Sequence, residues 1–202
     1  MNQSPGCLDP DREAMLQATL PVRRAAFRRL LSGQAVSVIE VAAQIGSSPE
    51  SVHRAVHDVA SVGMAEVTDG TVVAMDGLTT QPTQHGLTLD GVQLWTWCAY
   101  DIVGIAAALG NDATGCTPCG ACGRSIDVEI RNGDPKVTAV VGWLPSEACS
   151  NVRAEFCPSA LFFCSMEHLE QWLATSDDRG GEALSLPELA ERGRDEWRQV
   201  VA

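Results

Sequence analysis

The chain has 202 residues, 45 % of them apolar and 20 % charged, which is the balance of a globular protein rather than a disordered one. Against 26 Asp and Glu stand 14 Lys and Arg, a formal charge of −12 with Lys136 the only lysine. A nucleic-acid binder needs cations to displace counterions from phosphates, so nucleic acid is not expected as a partner.

No run reaches the roughly 18–20 uninterrupted apolar residues of a membrane span. Met1 to Asp11 lacks a basic segment followed by an apolar one, so no secretory signal is read and a cytoplasmic location is expected. Thiols stay reduced there, and the eight cysteines then point to metal binding or thiol chemistry rather than a disulfide framework.

Residues 1–11 are polar and turn-rich, and read as a flexible arm. From Arg12 to Leu31 apolar residues recur at helical intervals, with a break or new start at Pro21 and a C-cap at Gly33. Arg23, Arg24, Arg28 and Arg29 form a basic cluster on this segment, read as a solvated face. Ser37 and Glu40 have capping-box spacing for a helix to about Gln44, and Gly46 makes the turn. Ser47 or Ser48 with Pro49 starts the next helix, which carries Val52, Val56, Val59 and Val62 inward before Gly63. Asp69-Gly70 then joins two short strands as a hairpin.

Helix, turn, helix and hairpin read as a winged-helix-like three-helix module over residues 12–77. Its second helix offers His53, Arg54 and His57 against Glu50 and Asp58, a poor phosphate-binding face. A packing or dimerising role is favoured over DNA recognition.

Residues 78–202 are expected to form a mixed α/β domain with a mainly antiparallel sheet, making the whole an α+β protein. A short strand and turn are read near Gly86 to Gly91, and a helix from about Val92 to Leu109. A Cys-Gly loop follows from Gly110 to Gly123, then strands at Ser125–Arg131 and Val137–Leu144 about the Asn132-Gly133 turn. A short helix from Pro145 to about Glu155, a strand at Ala160–Cys164, and helices at Glu167–Ala174 and Leu186–Val200 complete the reading.

Chemistry concentrates in two places. On a helix, Cys98 and Asp101 share a face, and the apolar neighbours of Asp101 should raise its pKa toward the range of a general acid. Taken alone, the pair fits a core cysteine beside a capped carboxylate as well as it fits a reactive centre. Cys157 lies where a helix gives way to a strand, with Pro158 enforcing the break, and is by itself equally compatible with a buried small residue.

The run Trp97-Cys98-Ala99-Tyr100-Asp101, the later Phe156-Cys157 with Phe162-Phe163, and the module in front resemble the bacterial organomercurial lyases (alkylmercury lyases). The resemblance extends from about Leu20 to about Trp172. It implies that Cys98, Asp101 and Cys157 are catalytic and hold the substrate's mercury, and that the carbon–mercury bond is cleaved by protonolysis to a hydrocarbon and Hg(II). Soft thiolates suit mercury, and Asp101 would deliver the proton. No organic cofactor is implied. Low-molecular-weight thiols would release the product, and a mercuric reductase would receive it.

Cys116, Cys119 and Cys122 depart from that family's pattern, which typically has a single cysteine near Cys119. The triplet can be a metal knot, a mercury relay or incidental thiols, and Cys149 or His168 can complete a metal site only if folded nearby. Cys164 is expected in the sheet core, and Cys7 to be inconsequential. A thiol-based metal-binding or metal-sensing protein without turnover is the competing function, and a metal-responsive regulator a third. Retention of Asp101 beside the thiols favours the enzyme. Substrate range and oligomeric state are not legible.

Overall fold

A computed structural model of the chain describes residues 7–176 and 180–202. The expected arm falls partly on residues 1–6, outside the described residues. Cys7 and Leu8 are buried, and Cys7 is disulfide-bonded to Cys149, a pairing the sequence did not suggest.

The first helix, α1 (Pro10–Ala18), begins on Asp9, whose carboxylate accepts the Arg12 backbone N–H. Thr19 separates it from α2 (Leu20–Leu30), which carries Pro21 in its first turn and buries Val22, Ala25, Ala26, Phe27 and Leu30. After β1 (Val36–Ser37), α3 (Val38–Ile45) is started by the Ser37/Glu40 capping box and ended by Gly46 in the left-handed region. Next, α4 (Pro49–Ser61) is capped by Ser48 and buries Val52, Val56 and Val59. Then β2 (Ala65–Thr68) and β3 (Thr71–Met75) meet at Asp69-Gly70, both with positive φ as a two-residue hairpin turn requires.

The basic cluster on α2 is only partly a solvated face. Arg23 is buried against Asp76, with Nε 3.1 Å from both carboxylate oxygens. Arg24 and Arg28 donate to the carbonyls of Gln199 and Ala202 at the C-terminus. Arg28 and Arg29 nevertheless remain exposed.

The remaining strands are β4 (Leu78–Thr79), β5 (His85–Leu89), β6 (Val92–Thr96), β7 (Ala113–Pro118), β8 (Ser125–Arg131), β9 (Asp134–Pro135), β10 (Val141–Pro145), β11 (Leu161–Phe163) and β12 (Gly181–Ser185). The helices are α5 (Ala99–Leu109), α6 (Met166–Thr175) and α7 (Leu186–Val201). A nine-stranded sheet runs β1-β3-β4-β6-β5-β7-β8-β9 with β2 beside β3, and β11-β10-β12 form a second sheet. Every ladder between named strands is antiparallel. Since β3 pairs with β4 and β4 with β6, the sheet passes through Gly77 without interruption.

Four expectations are corrected. The stretch from Val92 is not the start of a helix: β6 pairs with β5 across Asp90-Gly91, both at positive φ, and the helix begins only at Ala99. The middle of the expected Cys-Gly loop is strand β7, and β10 begins later than Val137, at Val141. Between Ser146 and Ser159 there is no regular α-helix; a π-helical turn (Val152–Phe156) runs into a 3-10 turn (Cys157–Ser159). Strand β12 was not anticipated.

Helix α5 is apolar almost all round and forms the centre of the molecule, as a helix buried on every face must. It lies against α7 at a pair of glycines. A Cβ on Gly193 would fall 2.2 Å from the Gly104 Cα, so neither position can hold a side chain at this separation. This packing brings the C-terminal helix to the end of α5 where Cys98 stands.

Candidate active site

Strand β6 ends at Thr96, the chain crosses Trp97, and Cys98 becomes the N-cap of α5 with extended backbone (φ −142°, ψ 171°). Asp101 sits three residues on, and its carboxylate reaches back to the backbone N–H groups of Cys98 at 3.0 Å and Trp97 at 3.2 Å. This is a capping box with a thiol in the place of the usual hydroxyl, since the Asp101 N–H faces the Cys98 sulfur. The pair meets through cap geometry, not through the shared helix face that the spacing suggested.

Cys157 comes from the other end of the fold. The π-helical turn and Pro158 place it at a sharp change of direction ahead of β11. Its Sγ, the Cys98 Sγ and an Asp101 oxygen all lie within 4.8 Å of one another. All three residues are buried, Cys98 completely and the others with 5–6 % exposure.

Burial raises the Asp101 pKa to about 7; bonds from Cys98 and the two N–H groups oppose it, and the nearby Asp76 charge adds to it. Burial also pushes the Cys98 thiol well up, with further contributions from Cys157 and the Asp101 charge. The site therefore pairs a protonated Cys98 with a carboxyl that holds its proton far above the usual carboxylate range.

A small cavity adjoins the trio, ≈ 10 Å³, enough for a single water. Asp101, Cys157, Gly77, Asp76, Trp97 and Glu196 are among its lining residues. The indole of Trp97 is covered by the Arg153 guanidinium, 5.2 Å from the ring centroid, which in turn pairs with Glu66.

A sequence model of the family MerB, alkylmercury lyase, matches residues 78–197. The alkylmercury lyase of Bacillus cereus is 32 % identical over 176 residues, spanning 85 % of this chain and 78 % of that protein. The chain belongs to the alkylmercury lyase family. Family relatives from Staphylococcus epidermidis (32 % over 176 residues, 85 % of this chain and 79 % of that one) and Pseudomonas putida (29 % over 171 residues, 82 % and 76 %) agree. The crystal structure of the mercury-bound form of MerB2 matches with a TM-score of 0.83 at 25 % identity, covering 95 % of this chain and 97 % of that one.

The expected triplet does not gather as a triplet. Cys116 stands exposed on β7, beside a separate groove lined by Gly86, Thr88 and Gln93. Cys119 and Cys122 instead meet Cys164 and His168, with ligand atoms all within 4.8 Å of one another. Cys164 is thus half-exposed in a second thiol cluster and not in the sheet core. Burial would push the Cys119 thiol up, but the backbone N–H groups of Cys122, Ala121 and Cys164 outweigh it and lower its pKa to about 6. Cys149 is committed to Cys7.

Several residues of the site were missed. Asp76 and Glu196 bring two more carboxyls to the cavity. Glu196 accepts the Tyr100 hydroxyl at 2.8 Å, and burial raises its pKa to about 8. Their separation from Cys98 along the chain leaves no local signal. Of the histidines, His53 and His57 are exposed on α4 and join no group of three possible ligands among the described residues. Burial lowers the pKa of His85 to about 4, and its Nδ1 lies 2.7 Å from the Thr117 hydroxyl.

Proposed function

We propose that this family member cleaves the carbon–mercury bond of organomercurials by protonolysis, with Cys98 and Cys157 as mercury ligands and Asp101 as proton carrier. The observation that carries the residue roles is the meeting, within 4.8 Å, of two thiols and one carboxyl whose pKa is about 7.

Consider R–Hg–X reaching the cavity. Cys157 lines it, and the Cys98 sulfur lies within 4.8 Å of the Cys157 sulfur. One thiol loses its proton with X⁻, and its thiolate takes mercury as R–Hg–S. The second thiol passes its proton to the Asp101 carboxylate, which lies within 4.8 Å, and its thiolate also binds mercury. Two thiolate donors raise the electron density on mercury and weaken the bond to carbon. Asp101 then protonates the carbon, the electron pair of the C–Hg bond becomes the new C–H bond, and R–H leaves. Mercury remains as Hg(II) between Cys98 and Cys157, and the carboxylate is regenerated. The steps balance with no organic cofactor.

A raised thiol pKa at Cys98 suits this sequence, because the proton is retained until mercury displaces it. The N–H groups of Trp97 and Cys98 hold the carboxyl in place. With ≈ 10 Å³ free, the organic group has to displace part of the cavity wall on entry.

Low-molecular-weight thiols would remove Hg(II), for transfer to a mercuric reductase in the cytoplasm. No described helix is long and apolar enough to cross a membrane. Residues 12–77 are read as a winged-helix-like packing module, with Arg23 committed to Asp76 and not to phosphate.

The test is benzene release from phenylmercury in excess thiol by the wild type and by Cys98→Ser, Asp101→Asn and Cys157→Ser. Turnover by the wild type and its loss in each variant is expected. Stoichiometric mercury binding without benzene would sink the lyase reading, and full turnover by Asp101→Asn would sink the proton-carrier role.

A further inference from the structure

The second thiol cluster takes no part in that reaction and shares no residue with it. Two chain segments build it. The turn after β7 supplies Cys119 and Cys122, and the corner between β11 and α6 supplies Cys164 and His168. The spacings are Cys-x-x-Cys and Cys-x-x-x-His, each a bidentate grip on a metal, and together a Cys₃His donor set.

The geometry is close to a coordination shell already. In a tetrahedral zinc site, Zn–S bonds of about 2.3 Å put neighbouring sulfurs about 3.8 Å apart. Here all four donor atoms lie within 4.8 Å of one another, and the Cys119 Sγ is 3.5 Å from the His168 Nδ1. Closing onto an ion requires shifts of an ångström or less.

Both halves are held by backbone bonds that do not depend on the cysteines' side chains. The Cys119 N–H donates to the Arg124 carbonyl (2.8 Å), and Gly123, at φ +71°, donates back to Cys119 (2.9 Å). The Gly120 N–H donates to Phe162 of β11 (2.9 Å), which pins the turn to the strand just before Cys164. Ser165 caps α6 and fixes the helix turn that carries His168. Three thiolates and a neutral imidazole around Zn²⁺ leave one net negative charge, and the Arg124 side chain reaches both Cys164 and Cys122 to offset it. A disulfide would use two of the sulfurs and give the histidine nothing to do.

We propose that Cys119, Cys122, Cys164 and His168 form a closed four-coordinate zinc site that fastens the turn after β7 to the β11–α6 corner. The ion would brace β11, whose other end follows directly on the turn holding Cys157.

The full-length protein, produced in zinc-supplemented medium and kept reduced with a phosphine, should contain about one zinc per chain by elemental analysis. The Cys98→Ser/Cys157→Ser variant should keep it, as should Cys116→Ser, while Cys119→Ser/Cys122→Ser should lose it and melt at lower temperature. Since that variant can fail to fold, Co²⁺ added to metal-free wild type gives an independent readout: visible absorption of tetrahedral cobalt with thiolate charge transfer, retained in Cys98→Ser/Cys157→Ser. Zinc-free wild type with no cobalt spectrum overturns the site. So does a metal that departs with Cys98 and Cys157 and survives loss of Cys119 and Cys122.

Discussion

Gly77 and Asp101 are built against each other. Gly77 has φ +86°, and a Cβ placed on it would fall 2.7 Å from the Asp101 carboxyl carbon and 2.8–3.0 Å from its oxygens. The Gly77 carbonyl also accepts the Trp97 N–H at 3.0 Å, so the same residue positions the segment that caps α5. The carboxyl occupies the space that a side chain at residue 77 would need.

Gly77→Ala should therefore push the carboxyl off the two N–H groups that hold it. A displacement near 1 Å at a reacting group costs on the order of 10²-fold in rate. The left-handed backbone adds strain of about 1–3 kcal/mol. The expected pattern is kcat for phenylmercury down about 10²-fold in a chain that still melts cooperatively. Unchanged kcat would mean that the carboxyl's position is not critical.

Asp101 should make the fold weaker as pH rises. Folded, it keeps its proton up to about pH 7, whereas an unfolded aspartate loses it near pH 4. Between those values the folded chain binds more protons than the unfolded one, so stability is lost as pH increases through the window. Asp101→Asn mimics the neutral acid and escapes this penalty. Its stability relative to wild type should grow from about pH 4 and level off above about pH 7, reaching on the order of 2–4 kcal/mol in urea titrations. A constant difference across that range would contradict the raised pKa.

The same group sets an expectation for activity. A proton carrier that must first accept from a thiol has to start as carboxylate, so kcat/KM should rise with pH through an apparent value near 7. Single-turnover benzene release measured across that range gives the limb directly. A rise seen only in the range of free thiols would show that Asp101 is not the first acceptor.

How much of this was legible depends on how local each signal is. The Ser37/Glu40 box and the Asp69-Gly70 turn were read correctly because each lies within a few residues and has one geometric solution. Asp90-Gly91 carries the same turn signal, but the apolar run after it masked strand β6, and the helix was begun too early. Cys98, Asp101 and Cys157 were named from a family resemblance, while the reason that they meet, a thiol-containing helix cap facing a π-helical turn, was not visible in any spacing. Asp76 and Glu196 enter the site through the α5–α7 packing and the Arg23 pair, contacts between residues tens of positions apart. Cys164 and His168 have chelating spacing, but no local signal joins them to Cys119 and Cys122, about forty positions earlier in the chain.

Arg23 links the fold to the site's electrostatics. It is the cation paired with Asp76, both are buried, and Asp76 lies beside Asp101 on the cavity. Removing one partner of such a pair strands a buried charge and costs about 3–5 kcal/mol. Burial already raises the Asp76 pKa and Arg23 is what opposes it, so without the guanidinium Asp76 moves toward its neutral form. Arg23→Met should lower stability, by up to about that amount where Asp76 stays ionised. The Asp76 charge pushes the Asp101 pKa upward, so loss of that charge should move the kcat/KM limb to lower pH. Arg23→Met/Asp76→Asn fixes residue 76 as neutral and should give the same lowered limb, with part of the stability regained. A limb that stays at its wild-type position in both variants would show that the Asp76 charge does not act on Asp101, and that the Arg23 pair serves packing alone.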